Sequence, residues 1–155
     1  MLPTLATVTG VPAPQQYGFR GHDLTPILED PNASVQDVLH FSYEDDVFPV
    51  KGAGFLRTIV EEGWKYAVYY DPFTGAPTEY ELYDLARDPL EMTNLAHAKH
   101  STSASEAERA RLHRRLWDVM CAYGTRPDEV RWPEVDDFRP ATGLAETDED
   151  DAASA

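Results

Sequence analysis

The residues that could carry out a reaction are few in this 155-residue chain. Cys121 is the single cysteine. A thiol becomes a nucleophile when a nearby base, cation or helix N-terminus lowers its pKa. The surrounding Val119-Met120-Cys121-Ala122-Tyr123 supplies no such pattern, so Cys121 reads as structural or merely exposed. His97, His100 and His113 invite a metal reading. His97 and His100 stand beside a Ser/Thr loop, with no cysteine or acid at ligand spacing, so zinc is not expected there. In His22-Asp23 the acid is explained as a helix cap. Glu44-Asp45-Asp46 and Asp136-Asp137 could hold calcium, but no loop with a central glycine and terminal glutamate surrounds them. They read as solvated loop acids. There is no glycine-rich phosphate loop and no G-x-S-x-G elbow. The charges of Arg109–Arg115 read as mainly the wet faces of a helix, with Glu106 and Glu108 upstream so that some can form i,i+4 pairs. No catalytic, cofactor-binding or metal-ligating residue is therefore expected in this chain.

The elements that would position such groups follow from periodicity. Leu2, Leu5 and Val8 share a helical face, stopped by Gly10 and Val11-Pro12-Ala13-Pro14. A helix starting on the first residue, with no cap before it, reads as cut from something longer. Asp23 can cap a second short helix, and Asp30-Pro31-Asn32 is a turn. Val38–Tyr43, Phe55–Val60, Trp64–Tyr70 and Glu79–Leu85 read as four strands, the middle two joined tightly at Glu61-Glu62-Gly63. In the third strand Trp64, Tyr66, Val68 and Tyr70 alternate with Lys65, Ala67 and Tyr69, so one face is greasier than the other. Ser103 and Glu106 form an S-x-x-E capping box for the longest helix, which Gly124 ends. Leu112, Leu116, Val119, Met120 and Tyr123 make its main apolar stripe. Ala110, Trp117 and Cys121 fall nearly opposite and suggest a second surface. Beyond Gly124, Trp132 and Phe138 could anchor a polar stretch that ends in an acidic tail expected to be disordered. The fold class expected is α+β: a four-stranded antiparallel sheet packed against a C-terminal helix, with short N-terminal helices.

The bulk numbers set limits. The length suits one domain. With 28 acids against 13 bases the formal charge is −15, which opposes nucleic acid and anionic membranes as partners. This balance fits either a high-salt host or a solubilising surface. One cysteine excludes an intrachain disulfide and any multi-cysteine zinc site. No apolar run is long enough to span a bilayer, and the first residues lack the features of a secretory signal. The compartment is left open, with a reducing cytoplasm favoured.

The most informative stretch is Tyr80–Ala96. Its first half alternates like a strand. Its second half offers Asp88 as an N-cap, Pro89 at the first helical position, Glu91 as a capping-box acid and Asn94 for a left-handed exit. The order L-Y-D-L-x-x-D-P-x-E-x-x-N-L-A resembles a segment near the C-terminus of the sulfatases. These are formylglycine-dependent sulfuric-ester hydrolases of the alkaline phosphatase superfamily. L-P-T-L-A-T-V-T-G-V-P-A-P, G-H-D-L-T-P-I-L and L-R-T-I-V-E-E-G-W-K-Y resemble three further family segments, in the right order, between Leu2 and Tyr66.

The resemblance covers only the last part of a sulfatase. It implies that residues 1–36 are the end of the large α/β domain and a connector, and residues 37–124 the C-terminal subdomain. Residues 125–155 are then a polar extension with an acidic tail. The family's nucleophile lies in C-x-P-S-R, which Cys121 does not match. Its calcium or magnesium ligands and most substrate-binding residues lie upstream of L-P-T-L, so no catalytic residue carries over. The implied role is a structural subdomain bracing the catalytic domain and the cleft rim, not catalytic alone. Its partner would be the N-terminal catalytic portion or a complementing chain, with a sulfate ester as substrate only in the complete enzyme. Two alternatives stay open: a free-standing interaction module, or the same fragment of a phosphonate or phosphate-ester hydrolase.

Overall fold

A computed structural model describes residues 2–11, 18, 21–44, 55–71, 77–127 and 132. Asp45, Asp46, Asp136, Asp137, Phe138 and the acidic tail lie outside the described residues. The chain divides into two compact units, Met1–Val38 and Leu39–Ala155.

The first unit holds α1 (Leu2–Thr9) and α2 (Thr25–Glu29). Gly10 ends α1 in the left-handed region at φ 69°. Its N–H donates to the Thr7 carbonyl and that of Val11 to the Ala6 carbonyl, which closes the last turn. The capping expected of Asp23 is displaced by one residue, because Leu24 holds the N-cap position. Asp23 Oδ1 instead accepts the N–H of Thr25 at 2.9 Å and its hydroxyl at 2.6 Å, while Oδ2 accepts from the Thr7 hydroxyl at 2.7 Å. One short carboxylate thus ties α1 to the start of α2. No residue of α1 is buried.

The second unit is a meander. Strands β1 (Val38–Glu44), β2 (Phe55–Glu61), β3 (Trp64–Tyr70) and β4 (Glu79–Asp84) lie in the order β1-β2-β3-β4. The β2–β3 and β3–β4 pairs are antiparallel. Glu61 pairs with Trp64, so the hairpin turn is the two residues Glu62 and Gly63, at φ 52° and 78°. Two positive φ values in succession match the twist of the flanking strands, and only the second position carries a glycine.

Helix α3 (Ser103–Tyr123) covers one face. Its buried side includes Leu112, Leu116, Val119 and Met120, set against Ile59, Tyr66, Val68 and Leu82 of the sheet core. Each such large apolar side chain contributes about 1.5–3 kcal/mol on burial. Gly124 closes the helix at φ 64°, as the sequence predicts. The capping box sits one residue earlier than expected. Thr102 is the N-cap and Ser105 its reciprocal partner. Ser105 is buried and also reaches the Leu95 carbonyl, so the box doubles as a tether to the preceding loop. Glu106 is thereby released to pair with Arg109 at 2.7 Å.

The turn expected after Asp88 is not helical. Residues 85–100 form a succession of turns. The Asp88 carboxylate accepts the N–H groups of Met92 and Thr93, further along the chain than an N-cap reaches. Glu91 itself takes the left-handed conformation at φ 57° and pairs with Lys65 of β3 rather than with the backbone at Asp88. Asn94 makes no left-handed exit. Its Oδ1 accepts the N–H of Leu82 at 3.0 Å and its Nδ2 donates to the Tyr80 carbonyl at 2.9 Å. With the Leu95 N–H donating to the Leu82 carbonyl at 2.8 Å, the loop closes the outer edge of β4.

Candidate functional site

Among the described residues, three clusters of polar groups lie between the sheet and α3. The first is built on Arg57, which alternates with Phe55 and Ile59 and so faces the helix side. It is 1% exposed. Its Nε donates to the Thr125 carbonyl at 3.0 Å and Nη1 to the Leu56 carbonyl at 3.1 Å; Nη2 pairs with Glu44. The guanidinium lies 5.5 Å from the centre of the Tyr70 ring, a cation–π distance. Burial pushes the Tyr70 phenol up to about 12. His40 completes the cluster. Its Nδ1 meets the Thr58 carbonyl at 2.9 Å and must donate there, leaving Nε2 to meet the Thr125 hydroxyl at 2.8 Å. The C-terminal exit of α3 is thus bolted to β1 and β2.

The second cluster lies at mid-sheet. Tyr66 is fully buried, and burial holds its phenol well above the ordinary value. It stays protonated and shares a hydrogen bond with His113 Nδ1 at 2.9 Å, whose direction is set by the imidazole tautomer. His113 stacks on Trp132 with 5.1 Å between ring centres. Tyr80 stacks on Tyr66, and Arg109 lies 5.6 Å above the Tyr80 ring. Arg109 is 1% exposed, the exception in a basic run of α3 that is otherwise partly or fully exposed at Arg111, Arg114 and Arg115, as the expectation of mainly wet faces has it. Arg109 and His113 are four apart and flank the Leu112/Leu116 stripe, which places both on the sheet side. The second stripe of α3 is also partly covered, by the chain's own return. Trp117 packs on Trp132 at 6.2 Å and beneath Arg126 at 5.2 Å, while Cys121 is exposed.

The third cluster is Glu61 at the end of β2, which takes Arg111 on one oxygen and Arg115 on the other, each at 2.8 Å. Burial would raise this carboxyl, but the hydrogen bonds from Arg115 and Arg111 outweigh it and lower the pKa. Arg111 also grips Glu108, an i,i+3 pair rather than the i,i+4 spacing expected.

These groups satisfy one another instead of converging on a cleft. A phenol held protonated is no nucleophile at neutral pH. The Arg57 and Glu61 charges are committed to partners within the fold. His97 and His100 approach each other at 6.0 Å, but His97 Nδ1 accepts the Lys99 N–H. Among the described residues no three His, Cys, Asp or Glu gather to hold a metal, so they do not fit a calcium or magnesium centre. None of the three clusters was named from sequence. The signal available was positional: Arg57, Glu61, Arg109 and His113 all sit in register with buried apolar neighbours.

Comparison with known proteins places this architecture. Residues 1–120 match the family described as N-sulphoglucosamine sulphohydrolase, C-terminal. Arylsulfatase K of Xenopus laevis is 31% identical over 100 residues, which are 62% of this chain and 18% of that protein. A structure solved in complex with its substrate D-glucosamine-2-N,6-O-disulfate superposes with a TM-score of 0.59 at 22% identity. The match covers 82% of this chain and 24% of that one. A 2-O GAG sulfatase gives a TM-score of 0.58 at 21% identity, covering 86% and 26%. At these identities the two structures establish the fold. The chain spans about a quarter or less of the length of each of these relatives.

Proposed function

This chain belongs to the sulfatase family of N-sulphoglucosamine sulphohydrolase C-terminal regions, and from that membership we propose that it is the C-terminal subdomain of a sulfuric-ester hydrolase. It braces the catalytic portion and the rim of its cleft and does not itself turn over substrate. The observation that carries the reading is how the polar groups are spent: Arg57, Glu61, Tyr66 and His113 bind one another, the helix or the backbone. Sulfate-ester cleavage needs a nucleophile, a positive clamp and an acid for the leaving group. In this reading the formylglycine, the divalent metal and the substrate clamp belong to the catalytic portion. That portion, or a chain complementing it, is the partner. The bare apolar stripe Leu2, Leu5 and Val8 of α1 supports this, because such a surface is stabilised by burial against further protein. Residues 1–36 are then the end of the large α/β domain, and residues 37–124 the subdomain proper.

The test is direct. The purified 155-residue chain should give no turnover of an aryl sulfate, with or without calcium. Robust turnover that tracks the purified chain through two chromatographic steps overturns the reading.

A further inference from the structure

Gly124 ends α3, and the chain beyond it is fastened at two places in unlike ways. Next to the helix, Thr125 is held by hydrogen bonds. Its carbonyl accepts from Arg57 Nε at 3.0 Å, its hydroxyl meets His40 Nε2 at 2.8 Å and its N–H donates to the Met120 carbonyl at 3.0 Å. Farther on, Trp132 is held by rings. Its indole stacks on His113 at 5.1 Å and 18°, and meets Tyr70 edge-on at 6.2 Å and 81°. Trp117 lies 6.2 Å away, tilted by 35°. His113 and Tyr70 are each 3% exposed, although one belongs to α3 and the other to the end of β3. The Trp132 indole therefore spans helix and sheet. Its Nε1 is buried and has no hydrogen-bond partner among the described residues, and the same holds for the Tyr70 hydroxyl.

We propose that Trp132 is a releasable latch: it closes the seam between α3 and β3 over His113 and Tyr70, and it opens while the helix and the sheet stay folded. The contacts set this order. Leu112, Leu116 and Met120 are fully buried, so α3 cannot leave the sheet without exposing them, at a cost that grows with the apolar area uncovered. Trp132 is only partly buried, and its release breaks ring contacts. Opening also gives its N–H to water, which offsets part of the lost packing, because a buried donor without a partner is destabilising. Thr125 keeps its hydrogen bonds, so the released residue stays tethered to the end of the helix. Local openings of this kind draw on the least densely held parts of a fold. The family match ends at residue 120, inside α3, so the latch lies beyond the matched residues. Unlatched, the seam presents Tyr70, His113 and Trp117 as an aromatic surface.

The experiment is carbethoxylation of the histidines by diethyl pyrocarbonate in the 155-residue chain, followed residue by residue by mass spectrometry. Exposed His100 is the internal reference. The parent chain, Trp132→Ala and Trp132→Phe are compared, with circular dichroism reporting the fold of each. In the parent, His113 should label about tenfold or more slower than His100. Its rate should rise little with urea below the unfolding transition, because a local opening exposes little surface. Trp132→Ala should keep helix and sheet while His113 labels about fivefold or more faster than in the parent. Trp132→Phe, which keeps a ring over His113, should retain most of the protection. A folded Trp132→Ala chain in which His113 stays protected overturns the latch, since another group then covers the seam. Labelling of His113 in the parent only in step with global unfolding also overturns it, because Trp132 then belongs to the cooperative core. A Trp132→Ala chain that fails to fold has the same meaning.

Discussion

The face of the sheet under α3 and the face opposite it are made by the same four strands, yet they use polar residues in contrary ways. Under α3, Arg57, Glu61, Tyr66, Arg109 and His113 are buried, and the geometry around them is specific: a phenol on a ring nitrogen, a carboxylate on two guanidinium groups, a guanidinium on two carbonyls. On the open face, Leu39 and Phe41 are half in solvent, while the paired groups there, such as Lys65 and Glu91, stay partly wet. Burial explains the contrast. A desolvated polar group that is left unsatisfied costs about 1–3 kcal/mol, and under α3 most such groups are paired, while the Tyr70 hydroxyl has no hydrogen-bond partner among the described residues. The open side carries no such requirement, and Leu39 and Phe41 stay half exposed there.

Substitutions on each face test the contrast. The largest effect is expected from Leu116→Ala, which opens a cavity in a fully buried contact and should cost about 2–5 kcal/mol in urea denaturation. A loss below about 1 kcal/mol would mean that α3 is not tightly seated. Asn94→Ala leaves the Leu82 N–H and the Tyr80 carbonyl without their side-chain partner. It should cost about 1–3 kcal/mol and raise amide exchange at Leu82 ahead of the rest of β3 and β4.

Glu61→Gln should cost about 1–2 kcal/mol at neutral pH, because its hydrogen bonds to two arginines lose their charge. The pH dependence follows from the direction of the shift. The Glu61 carboxyl is lowered in the fold from an ordinary value near 4.5. Its stabilisation is therefore complete above that value and is lost as pH falls through the folded pKa. Denaturation midpoints between neutral and acid pH should show this component in the parent chain and lack it in Glu61→Gln. The smallest effect belongs to the open face. Phe41→Ser should change the stability of the 155-residue chain by no more than about 0.5 kcal/mol, while lowering the binding of an apolar-surface dye. A loss comparable to Leu116→Ala would show that the open face is already covered by this chain.

Much of the architecture was legible because it rests on local periodicity. The four strands, the tight β2–β3 turn and the left-handed stop at Gly124 follow from alternation, a Glu-Gly turn and the end of an apolar stripe. Where several neighbours could serve one local role, legibility ended. Thr102 and Ser103 are both able to cap α3, and Thr102 holds the position because Ser105 then reaches Leu95 as well. Asp88, Pro89 and Glu91 contain every local signal for a helical turn. The loop adopts another path in which Glu91 meets Lys65 and Asn94 grips β4. Those are contacts across strands, which no local rule contains.

Residue spacing along the chain is enough to set the order and type of the main elements, the greasy face of β3 and the resemblance to a sulfatase C-terminus. Which charged residues are buried depends on how the elements pack. Arg109 looks like any other base of an exposed helix until the sheet is laid against it, and Arg57 like a solvent-facing arginine until α3 covers it. Burial is a property of two surfaces meeting, and the second surface is set by residues dozens of positions away.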